Sequence, residues 1–159
     1  MRIITLFIAL TSLLLVGAPA GAPPLDAEQV RAGMSTGRLL IEPARNQAML
    51  SVITARSAEQ RATGYQHLPR ERAQPMWFVF PRPTRSSWHM RNVGYALDIA
   101  FVDGNGQVID IQRMLPERAG YRSPGLISAA LEVPAGDMRA LGIGVGTRLR
   151  LIDEEKRAP

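Results

Sequence analysis

The stretch Ser86–Val108, SSWHMRNVGYALDIAFVDGNGQV, decides the fold. Within it Leu97, Ile99 and Phe101 alternate with Asp98, Ala100 and Val102, so by the two-residue period of a strand one face is wholly apolar. The other face is apolar too, apart from Asp98. A strand apolar on both faces is covered on both sides, which puts Asp98 in or beside a core, where an ionised carboxylate is costly unless paired or hydrogen-bonded. The donors nearest in sequence are Arg91, Asn92, the indole of Trp88 and the backbone amides of Val93–Ala96. After the strand, Asp103-Gly104-Asn105-Gly106 predicts a hairpin, because Asn-Gly tolerates the positive φ of a tight turn, and Val108–Met114 is the returning strand.

Outward from this hairpin the pattern stays short and strand-like. Met76–Phe80 (MWFVF) reads as a buried strand ended by Pro81 and Pro83, which lack ladder donors. Upstream, Arg38–Glu42 and Ala48–Ala55 are two strands separated by the turn Pro43-Ala44-Arg45-Asn46. Ser57-Ala58-Glu59-Gln60 fits a capping box and opens a short helix that Gly64 stops. Downstream, Leu115–Ser128 is irregular, Ala129–Val133 is a strand, Pro134–Leu141 a short helix closed by Gly142, and Arg148–Ile152 the last strand. Six to eight short strands with two or three short helices predict a mainly β or α+β domain. Its form is a small partly closed β-barrel or curled antiparallel sheet, which leaves few open edges.

The chain ends carry an address. Arg2, the apolar run Ile3–Val16 and the small-residue site Ala18-Pro19-Ala20 predict a secretory signal peptide over residues 1–20, too short to span a bilayer comfortably, and a periplasmic or secreted protein. Residues 21–37, with Pro23 and Pro24, read as a flexible tether outside the core with at most a turn or two of helix, capped at Asp26, residues 38–153 as one globular β-rich domain, and residues 154–159 as a charged tail. Removing the leader loses only Arg2 from a net charge of +5. The remaining basic residues, all arginine except Lys156, are scattered, which fits a small polar or anionic ligand or an envelope component and argues against nucleic acid. With no cysteine in the chain, disulfides, thiol catalysis and thiolate metal sites are excluded.

Trp88, His89, Arg91, Asn92 and Asp98 are the candidate ligand-binding set: an aromatic face, a guanidinium fork and an amide beside one carboxylate suit a polar ligand. No catalytic residue, cofactor or metal is nominated. The only histidines, His67 and His89, have no ligand spacing, and no serine stands in a Gly-x-Ser-x-Gly elbow. Two alternatives share the site: a hydrolase-like enzyme with Asp98 as base and Arg91 or Asn92 stabilising negative charge, and a structural envelope domain in which Asp98 ties down the Val93–Ala96 loop.

The order of motifs resembles a bacterial and archaeal family, the domain of unknown function numbered 192. The residues that carry the resemblance are Glu59-Gln60-Arg61-Ala62-Thr63-Gly64, Pro75–Phe80, Trp88–Val93, Ala96–Asp103, the Asp103-Gly104 turn, Leu131-Glu132-Val133-Pro134-Ala135-Gly136 and Ile143–Thr147, spanning about residues 48–152. His89 replaces the family's Trp, Arg91 its Lys, Val93 its Thr and Ala96 its Pro, and a later Cys is missing. The resemblance implies the fold and agrees with export, and it brings no established activity.

Overall fold

In the computed structural model the described residues are 26–42 and 48–155. The expected leader, the turn at 43–46 and the end of the expected tail lie outside them. Nine strands and three short helices are described: α1 Ala27–Ala32, β1 Ser35–Glu42, β2 Ala48–Ala55, α2 Ala58–Thr63, β3 Met76–Thr84, β4 Ser87–His89, β5 Leu97–Val102, β6 Val108–Met114, β7 Ala119–Arg122, β8 Ile127–Pro134, α3 Asp137–Ala140 and β9 Arg148–Glu155. Seven strands form one sheet in the order β6-β5-β8-β3-β2-β1-β9, and β4 and β7 pair as a separate ribbon.

The large sheet curls into a half-barrel, as the sequence predicts. Its two edges meet at one corner, where Gln107 bridges Arg148, the Val108 amide donates to the Thr147 carbonyl at 2.8 Å and the Leu149 amide to that of Gly106 at 2.8 Å. One face of all seven strands gathers in a single apolar cluster, among them Leu39, Val52, Trp77, Val102, Val108, Leu131 and Leu149, with Met138 of α3 and Ile143 packed into it. The opposite face buries Phe78, Leu97, Ile99, Phe101 and Ile127 under Val30 and Met34, Tyr65 and Leu68, and Met90 and Val93. Strand β5 is buried at every position, so both of its faces are covered.

The sheet is not wholly antiparallel. The chain crosses over from β2 through α2, a passage a parallel connection requires, so β3 runs parallel to β2. Ser57 caps α2 and Gln60 returns the bond, the expected capping box.

Five expectations are corrected. The described part of the tether, residues 26–37, belongs to the domain: the expected short helix capped at Asp26 is present as α1, but β1 begins at Ser35, and Val30 and Met34 are buried in the core. Strand β3 runs on through Pro81 and Pro83, and its pairing with β8 jumps from Val79 to Thr84, so neither proline is asked for a ladder bond. The loop 115–128 contains β7, whose pairing with β4 comes from tertiary contact rather than local alternation. Pro134 ends β8 opposite Leu97 instead of opening α3, and β9 extends to Glu155, where Glu154 holds Arg56 in an ion pair at 2.5 Å and Asp153 holds Arg38.

Candidate functional site

The nominated residues divide between the two sides of β5. Asp98 is buried, but it shares its face with Ala100 and Val102, whereas Trp88 packs against Phe101 on the other face, ring centroids 6.3 Å apart. Consecutive side chains along a strand point to opposite faces, so no loop movement brings the indole to this carboxylate. The partners of Asp98 are Arg113, its cross-strand neighbour on β6, with Nε 2.5 Å from Oδ1, and the Gly136 amide, 2.8 Å from Oδ2. The carboxylate raises the pKa of that guanidinium through the hydrogen bond first and through charge attraction second. Asp98 thus fastens β5 to β6 and to the turn before α3, a structural task, and its oxygens are occupied.

Arg91 is exposed at the turn after β4. Asn92, at φ 60°, works within that turn: its side chain donates to Gln66 at 3.1 Å and its carbonyl accepts from His67 at 2.8 Å. His67 is exposed as well. The hydrolase arrangement with Asp98 as base and Arg91 or Asn92 beside it is therefore not assembled. Among the described residues no three His, Asp or Glu side chains cluster where a metal ion would sit.

Trp88 and His89 do share a cleft, of about 310 Å³. One wall is Arg61–Gln66 at the end of α2, the other is Ser86–Met90 of the ribbon, and Phe78, Phe80 and Leu97 line the apolar part. Trp88 stands edge-on to Phe78 and Phe80, at 4.8 Å and 6.4 Å, a geometry that favours the ring quadrupoles. The Arg61 guanidinium lies 5.2 Å over the Phe80 ring and donates to the Arg56 and Val79 carbonyls.

Glu132 is the acid that lines this cleft, and it is outside the candidate set read from the sequence. It lies on β8 between Met76 of β3 and Ile99 of β5, both fully buried, and is itself 5% exposed. Its carboxyl makes no hydrogen bond among the described residues, and burial alone pushes its pKa from 4.5 up to about 8. The Tyr65 hydroxyl is near but spoken for, donating to the backbone carbonyls of Gln74 and Glu132. Two polar atoms on this side are fully buried without partners among the described residues, the Trp88 indole nitrogen and the Tyr95 hydroxyl. Tyr95 packs edge-on against Tyr65 at 6.5 Å, and burial, the first cause, raises its pKa to about 12. The signal for Glu132 was in plain view: in the expected strand Ala129–Val133, AALEV, it is the one acid among apolar residues, the same pattern that singled out Asp98.

A curled half-barrel roofed on one face by short helices and a two-stranded ribbon, with a lone buried acid under the roof, defines the class. The chain belongs to the family described as "DUF192: Uncharacterized ACR", whose model matches residues 40–151. A crystal structure of a Sinorhizobium meliloti protein, provisionally described as a transcription regulator, is similar at TM-score 0.69 and 25% identity, over 75% of this chain and 95% of that one. A Novosphingobium aromaticivorans protein of unknown function is similar at TM-score 0.64 and 22% identity, over 81% and 99%. No curated protein matches the chain.

Proposed function

We propose that the protein is a binding module, not an enzyme, and that it takes a small polar ligand into the cleft between α2 and the β4–β7 ribbon. The observation that carries this reading is Glu132, 5% exposed and lining the cleft, whose carboxyl has no hydrogen-bond donor or cation to hold it among the described residues. A buried acid kept for architecture is normally given partners, as Asp98 is, because leaving it bare costs several kcal/mol, on the order of 1–3 or more. At Glu132 that cost is tolerated beside a cleft, where a ligand brings the missing partner and Trp88 and Phe80 supply apolar walls.

The experiment is a methyl NMR titration with a panel of small sugars, amino acids and carboxylic acids. Met90 lines the cleft and Met138 lies in the cluster on the opposite face, so the two methyl signals separate a cleft ligand from a non-specific one. A ligand that moves Met90, leaves Met138 still and is lost in Glu132→Leu is the expected result. Should no panel member shift Met90, or should the shifts survive that substitution, the cleft is not the binding site.

Export belongs to the same proposal and rests on the leader-like residues 1–20. Mature protein recovered from the periplasm or medium should begin at Gly21. Full-length protein retained in the cytoplasm would refute it. Among the described residues no helix is long and apolar enough to cross a membrane.

A further inference from the structure

We infer that this cleft is a site for small monocarboxylates with an apolar body, an inference that rests on the binding reading above and names its ligand class. Three features of the lining agree. The Trp88 indole nitrogen, a donor only, has no acceptor among the described residues. Arg61 sets a guanidinium at the lip over Phe80. Glu132, bare on the floor, keeps its proton at neutral pH because burial disfavours the ionised form, so it too presents a donor.

The titratable groups around it do not reverse this. Tyr65 and Tyr95 are both held neutral well past pH 8, chiefly by burial, and Arg61 and His89 face the cleft from α2 and β4. No second acid lines the cleft. A cationic ligand would have to ionise Glu132 in an apolar setting while lying beside Arg61. A carboxylate instead accepts the Glu132 O–H in a charge-assisted bond, with no proton lost or gained, and its apolar body packs on Phe78, Phe80 and Trp88.

The proton on Glu132 makes the inference testable. Once Glu132 ionises above about pH 8, its negative charge meets that of the ligand, and affinity falls about tenfold per pH unit. Benzoate, benzamide and benzyltrimethylammonium share one ring and differ in charge, and the Met90 methyl signal reports their binding at pH 7 and pH 9. Benzoate should bind most tightly and weaken about tenfold between the two, as one proton requires. Glu132→Gln, which keeps a neutral donor, should bind benzoate at pH 7 and lose the pH dependence. Tighter binding of the cation or the amide, or benzoate affinity that ignores pH in the unsubstituted protein, overturns the carboxylate assignment and leaves the cleft reading standing. If none of the three moves Met90, the assignment fails, and the broader panel then decides whether the cleft binds anything.

Discussion

Glu132 and Asp98 are two acids buried to the same 5% exposure with opposite provisions. Asp98 has a guanidinium and a backbone amide on its oxygens; among the described residues Glu132 has neither. The difference should be visible in the pH dependence of stability. In the unfolded chain Glu132 titrates near 4.5 and in the folded protein near 8, so folding takes up a proton between these values. The contribution of Glu132 is fully present below about pH 4.5, declines by up to ~1.4 kcal/mol per pH unit through that window, and levels off above about pH 8. Urea denaturation at pH 5, 6.5 and 8 should therefore show falling stability, and Glu132→Gln should remove most of the slope. An unchanged slope in that variant would mean that Glu132 finds a partner in solution and that its burial is compensated. Neither acid's circumstances were fully legible beforehand. That Asp98 is sheltered follows from the alternation of Leu97–Val102, but its partner does not. A one-residue bulge between Phe101 and Val102 shifts the β5–β6 register, so a count outward from Val102 and Val108 places Gln112 opposite Asp98 where Arg113 in fact stands.

At the scale of elements, what could be read was what is decided locally. The capping box at Ser57, the buried strand at Met76, the hairpin at Asp103-Gly104-Asn105-Gly106 and the strand Leu97–Val102 each depend on neighbours within a few residues, and each is present. The Asp103 carboxylate ties the hairpin by accepting from the Asn105 and Gln107 amides at 2.9 Å. Ribbon β4–β7 was not readable, because Ser87–His89 and Ala119–Arg122 are too short to alternate and are strands only through each other. Helix α1 was legible from its Asp26 cap but its place in the core was not, since Val30 and Met34 are buried only by tertiary contact and Arg31 anchors the helix to the Gln66 carbonyl at 2.8 Å. The cleft is built between the two kinds of element. Its α2 wall was legible and its ribbon wall was not, so the sequence marked Trp88 and His89 as interesting without the acid that faces them.

For the molecule as a whole, the question is what holds a seven-stranded curl closed when its edge strands meet only at a corner. There β6 and β9 approach so closely that a Cβ on Gly106 would lie 2.9 Å from the Leu149 carbonyl oxygen, and Gly106 also has a φ of 79°, where an L side chain is strained. Gly120, in β7, has a φ of 94° but open space around it. The two glycines therefore separate backbone strain from closure. Gly120→Ala should cost only the conformational part, about 1–2 kcal/mol, whereas Gly106→Ala carries the same part and also pushes β9 away, for roughly 2–4 kcal/mol in total. Thermal unfolding of both variants measures the difference directly, and methyl NMR of Met138, packed in the cluster that the curl encloses, reports whether the corner has opened. If the two substitutions lower the melting temperature equally, the corner contributes nothing and the half-barrel is held by its ladders alone. A larger loss at Gly106 with a shifted Met138 signal and an unmoved Met90 would place the closing contact at one end of the sheet and leave the cleft on the other face mechanically independent of it.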